Sequence, residues 1–282
     1  MIRKSIVLFL SLLLVSVGCQ RKEKKQEKHL DTSLPKQYSE FNIPNIKLGV
    51  KAGEIVLVPK KNFLDEFFQK KNNFFWFYPR KVDSIGKYSL FVWEIDSLIE
   101  IPKAFVVTFS EQSKAKQGDF VFTWWQNGTG LQRAYVLKVL DNKKIVIRYL
   151  DLDIFTLRNK SDIIDTIKER SFSLINSKYS PGASVRFDTD VGEKFYIILN
   201  HQDSSLVCRS SLGKIKFFKI NEIKPNYVAK KLYVNQEVKV PFYGIYIPGK
   251  IIELKQGYAK VEAMIIDQKE ILSIPIIDIA ID

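Results

Sequence analysis

A short phrase returns four times along this chain and limits what it can fold into. Gly53-Glu54-Ile55-Val56-Leu57-Val58 recurs as Gly118-Asp119-Phe120-Val121-Phe122-Thr123, as Gly182-Ala183-Ser184-Val185-Arg186-Phe187 and as Asn235-Gln236-Glu237-Val238-Lys239-Val240, at steps of 65, 64 and 53 residues. Each copy opens on glycine, or on asparagine as its best substitute, and so permits a positive φ before residues that alternate between two faces. That is a turn feeding a strand, with the valine pointing inward. Two further strand-like runs joined by a turn follow the opening. They are clearest in Arg133–Val139, the Asp141-Asn142 turn and Ile145–Tyr149, and again in Lys250–Leu254, the Gln256-Gly257 turn and Tyr258–Ile266. The third and fourth copies also close alike, on Ile220-Asn221-Glu222-Ile223 and Ile276-Ile277-Asp278-Ile279.

Helical periodicity is scarce, and only Lys60–Lys71 and Lys160–Arg170 fit short helices, as insertions between strands. The expected fold is therefore all-β, in tandem modules of the size of small barrels, a closure that removes exposed sheet edges. Barrels this small are marginal alone, so neighbouring modules are expected to pack together. A composition that is 46% hydrophobic and 13% aromatic excludes a disordered chain.

The chain begins differently. Arg3 and Lys4 precede an apolar run from Ile6 to Val17, followed by the small residues that lead into Cys19. That run is shorter than the ~20 residues a membrane-spanning helix needs, so residues 1–18 read as an export signal. The stretch Val15-Ser16-Val17-Gly18-Cys19 resembles the lipobox of bacterial lipoproteins. The resemblance implies that Cys19 is acylated, becomes the first residue of the mature chain and holds it to the membrane. Gln20 after the cysteine resembles the signal for outer-membrane delivery, so the implied location is the cell envelope, at the outer membrane, facing the periplasm or the exterior. Arg21–Lys28 carries charge without apolar content, and residues 19–46 are expected to form a flexible tether. With Cys19 lipidated, Cys208 is left alone beside Leu206 and Val207, which favour its burial; no disulfide framework is expected.

The modules are then expected at 47–112, 113–176, 177–229 and 230–282. The second, through Gly118-Asp119-Phe120-Val121, Trp124, Ala134-Tyr135-Val136, Val146-Ile147-Arg148-Tyr149 and Asp151, resembles a Tudor-type SH3-like barrel. That family holds methylated cations in an aromatic cage by cation–π attraction. The resemblance implies Trp124 and Tyr149 as cage positions, with Asp151 close by. Trp124 and Trp125 are adjacent, so in a strand they face opposite sides, one in the core and one exposed to a ligand. The run Phe74-Phe75-Trp76-Phe77-Tyr78 is expected at a seam between modules, a partner surface or a membrane contact.

No residue pattern points to catalysis. The two histidines, His29 and His201, are far apart, and no nucleophile elbow, phosphate loop or metal-ligand spacing is present in the sequence. The expectation is a non-enzymatic binding or interaction module without cofactor or metal, meeting a protein or cell-wall ligand. The net charge of +13, of which +11 remains after the signal, supports a polyanion as an alternative partner. A hydrolase assembled from distant carboxylates is the minor alternative.

Overall fold

A computed structural model describes residues 36–109, 114–125, 130–140, 143–151, 163–226 and 231–281. The expected export signal, Cys19 and the Asp141-Asn142 turn lie outside them. In the first module, helix α1 (Lys36–Glu40) precedes β1 (Ile55–Pro59), helix α2 (Lys61–Phe68), β2 (Phe77–Ile85), β3 (Ser89–Glu94) and β4 (Ser97–Pro102). The second holds β5 (Phe120–Trp124), β6 (Leu131–Leu140), β7 (Lys144–Tyr149), β8 (Ile164–Lys168) and β9 (Ser173–Leu174). The third holds β10 (Ser184–Thr189), β11 (Gly192–Gln202), β12 (Ser205–Ser210), β13 (Ile215–Lys219) and β14 (Lys224–Pro225). The fourth holds β15 (Glu237–Phe242), β16 (Ile245–Leu254), β17 (Tyr258–Ile265) and β18 (Gln268–Pro275). The fold is all-β, and the named strands pair antiparallel.

The four openings share one backbone device. Gly53, Gly118, Gly182 and Asn235 have φ of 89°, 95°, 89° and 72°. Each donates its N–H to the module's long second strand, at the carbonyls of Val82, Val136, Ile198 and Ile251 over 2.7–2.9 Å. The same four residues return an N–H to the carbonyl that follows the turn, on Glu54, Asp119, Ala183 and Gln236. The strand register then slips beyond each of them, between Val82 and Ser84, Val136 and Lys138, Ile198 and Asn200, and Ile251 and Glu253. A left-handed residue and a bulge thus bend each module in the same place. The valines after the turns, Val56, Val121, Val185 and Val238, are buried as expected.

Each module also closes in one way. A 3₁₀ turn follows the fourth strand in the first, third and fourth modules, at Lys103–Phe105, Ile220–Glu222 and Ile276–Asp278. The chain then returns to the module's first strand, as Val107 against Leu57, Leu174 against Val121, Pro225 against Val185 and Ala280 against Lys239.

The modules do not keep separate interiors. The described residues belong to one compact unit, Leu34–Asp282. One large apolar cluster joins Phe75 and Phe105 of the first module, Phe122 and Leu131 of the second, Leu206 and Cys208 of the third, and Ile277 of the fourth. The second and fourth modules retain smaller cores of their own, around Ile147 and Val261. The third and fourth share a nine-stranded sheet through Lys194 of β11 and Ile245 of β16.

Two expectations change and a third holds. Tyr38, Ile43 and Ile46 are buried, so the packed chain starts near Lys36 and not at 47; their apolar side chains are spaced too far apart to stand out beside the charged run before them. Lys60–Lys71 does hold a helix, but the described part of Lys160–Arg170 is strand β8, whose pairing with β7 overrides an ambiguous spacing of isoleucines. The aromatic run lies on a seam. Phe75 and Phe77 are buried, and the backbone at Phe74 and Phe75 bonds to Gly213 and Lys214 of the third module.

Candidate functional site

The residues singled out in the second module do not form an open cage. On β5 and β6, Val121, Ala134 and Val136 point into the module's own core, while Phe120, Phe122, Leu131 and Arg133 point the other way. That second face is covered by the neighbouring modules. Trp124 lies on it, half-buried, with its ring 4.9 Å from that of Phe109. Trp125 is half-buried on the opposite face, against the module's core. The two tryptophans therefore face opposite sides, but neither is the fully exposed one. Tyr149 is buried at 3% exposure, with its hydroxyl donating to Asp165 at 3.1 Å. A cage needs an open ring face, and Tyr149 offers none.

Asp151 belongs to a buried ion cluster that the sequence reading missed. Arg133, 2% exposed, donates through Nε and Nη2 to Asp151 at 2.6–3.1 Å, and through Nη1 and Nη2 to both carboxylate oxygens of Asp278. This is a planar fork held by two carboxylates, the geometry that guanidinium fits best. Burial alone would push the Arg133 pKa down, but the two carboxylates hold it above its ordinary value. Around the cluster, the Tyr246 hydroxyl donates to the Asp278 carbonyl at 2.9 Å, and Asn226 Nδ2 donates to Ser184 Oγ and Tyr246 Oη. Arg209 of the third module stands nearby, with its guanidinium 6.0 Å from the centre of the Trp76 ring. Burial lowers the Arg209 pKa, Asp151 raises it and Arg133 lowers it again. Side chains of all four modules meet here, and Arg133, Asn226 and Asp278 are buried. Its chemistry is that of a joint.

The remaining candidates stand apart from this cluster. Cys208 is fully buried in β12, and burial raises its thiol pKa. His201, one residue before the end of β11, is exposed. Among the described residues no group of three or more His, Cys, Asp or Glu can hold a metal ion, and no helix is long and apolar enough to cross a membrane. A shallow hollow of about 300 Å³ is lined by Lys143, Lys144, Lys168 and Glu169. Lys144 and Lys168 are directly opposite in the β7–β8 register, a like-charge pairing that destabilises a sheet.

The other unusual surface feature is apolar. Ile95 and Ile266 are 91% and 92% exposed, each in a two-residue turn between the third and fourth strands of its module. Both have positive φ, 55° and 46°. In the third module Leu212 is 69% exposed in the corresponding turn. No sequence pattern marks these residues until the register of the hairpins is known.

The chain matches no protein-family model, and no curated protein matches it.

Proposed function

We propose that this protein is a lipid-anchored protein of the cell envelope, held by acylated Cys19, whose body of tandem SH3-like barrels, the second of Tudor type, is a non-catalytic binding module. The repeated left-handed opening, bulge, 3₁₀ turn and returning strand support the barrel reading, because they bend a short meander back on its first strand. One observation carries the binding reading: the joint between modules is filled, while large aliphatic side chains stand exposed at hairpin ends. Recognition then works through protruding surface, not through a cavity. The test is sedimentation of the purified protein with cell-wall sacculi, together with palmitate labelling of the parent and of C19A. Expected are co-sedimentation that survives high salt and labelling lost in C19A.

A second reading, a polyanion partner, is favoured by the lysine-lined hollow at Lys143, Lys144 and Lys168 and by the net charge of +13. It predicts retention on heparin that falls steeply as salt rises.

A further inference from the structure

The turn at Ile95 is built against the preferences of its own backbone. Positive φ strains a β-branched residue, and a two-residue hairpin turn normally takes Asn, Asp or Gly there. Ile95 is also 91% exposed, so it gains nothing from packing. Below it on the outer face, Trp93 and Leu98 are direct cross-strand partners, 53% and 44% exposed. Trp93 Nε1 donates to Asp83 Oδ1 at 3.0 Å, which satisfies the polar edge of the indole and leaves its apolar body outward. An apolar tip above a tryptophan with a satisfied N–H suits the boundary between water and lipid.

We propose that the β3–β4 hairpin dips into the surface of a lipid bilayer, with Ile95 leading and Trp93 and Leu98 at headgroup level. The inference rests on the anchored reading above. Three side chains on a narrow hairpin offer far less than the ~800 Å² per partner of a standard protein interface, which favours lipid over protein. The position of the tether agrees. The Tyr38 hydroxyl donates to the Tyr88 carbonyl at 2.7 Å, at the base of β3, so Tyr38 sits roughly 20 Å from the tip. The seventeen residues from Cys19 to Lys36 span at most about 60 Å. Lipid is therefore within reach of the tip. Asp96 beside Ile95 keeps the insertion shallow, within the ~5–10 Å of the headgroup boundary. An Ile-Asp turn also stands at Ile266-Asp267 in the fourth module, but there Lys269 is the cross-strand partner of exposed Met264, so the apolar pair below the tip belongs to the first module.

The test uses the unacylated mature chain from Gln20, which contains the whole compact unit, with neutral phosphatidylcholine vesicles at high salt. I95N is expected to bind about tenfold more weakly than the parent, as the loss of one aliphatic side chain from lipid implies. Its melting temperature should rise, because asparagine tolerates the turn. Opposite signs in the two readouts separate a lipid contact from a structural role. A parent that does not bind vesicles, I95N binding unchanged, or binding lost together with stability would each overturn the proposal. Palmitate labelling of Cys19 is independent of this assay, so failure of the anchor and failure of the tip are told apart.

Discussion

Replacing Arg133 with methionine tests the joint between the modules. Among the described residues the Asp278 carboxylate meets only Arg133, through two hydrogen bonds, and the residue is 2% exposed. R133M leaves that charge buried and unpaired. Asp151 suffers less, since it is partly exposed and keeps the Arg133 backbone N–H at 2.9 Å. Removing one partner of a buried pair costs about 3–5 kcal/mol. Taking ~4 kcal/mol and the ~2–4 °C per kcal/mol of a protein this size, the melting temperature should fall by about 8–16 °C. The second variant decides the cause. R133M/D278L removes the orphaned charge and fills its space, and an apolar replacement of a buried pair is often neutral or better, so stability should return to within about 1–2 kcal/mol of the parent. Thermal unfolding followed by circular dichroism, with calorimetry as a check, measures both. A loss below about 1 kcal/mol for R133M, or a double variant as unstable as the single, would refute the assignment of the ion cluster as the joint.

Three further outcomes follow from the same geometry. G182A should destabilise more than G118A: both have positive φ, but a Cβ at Gly182 would stand 2.7 Å from Ile175 Cδ1 and 2.9 Å from Phe122 Cβ, whereas one at Gly118 meets nothing nearer than 3.8 Å; urea midpoints of the two variants check the order. Cys208 should resist a thiol reagent in the folded protein and react fully on unfolding, because it is buried and its pKa is raised by that burial; early labelling in native buffer would contradict this. For Glu193, burial raises the pKa, but hydrogen bonds from Lys224 and the charges of Arg186 and Lys239 outweigh it and hold the pKa below the ordinary value. A depressed carboxylate stabilises above its unfolded pKa of ~4.3 and loses that contribution as pH falls through the folded value. The stability gap between the parent and E193Q should thus be constant near neutrality and shrink below about pH 4; a gap that widens on acidification would reverse the sign.

The strand openings were legible because they are local. A glycine that can take positive φ followed by alternating side chains specifies a turn and a strand without reference to anything distant, and Gly53, Gly118, Gly182 and Asn235 all behave so. The closing 3₁₀ turns were legible only where isoleucines repeat; Lys103–Phe105 shares the geometry without the wording. The joint was not legible, since Arg133 looks like a solvent-facing arginine in a strand. A signal was nonetheless present. Phe120-Val121-Phe122-Thr123-Trp124 has no strongly polar face, and a strand apolar on both sides is covered on both sides. Its partner Arg133, directly opposite Phe122, had to be buried as well. The cage fails because its two rings lie apart: Tyr149 is buried in the module's own core, while Trp124 lies on the covered second face. The aliphatic hairpin ends could not be found from sequence, as exposure of a lone isoleucine depends on a register set by residues up to eight positions away in the pairing.

The covered face of the second module has a practical consequence. Phe120, Phe122, Leu131 and Arg133 occupy the second face of the β5–β6 pair, and the neighbouring modules already sit there. No single module can be excised without exposing that surface, and none can be exchanged for a homologous copy unless its contact residues change with those of its neighbours. The four similar openings look like separable units, but the packed face makes the set of four the unit that folds.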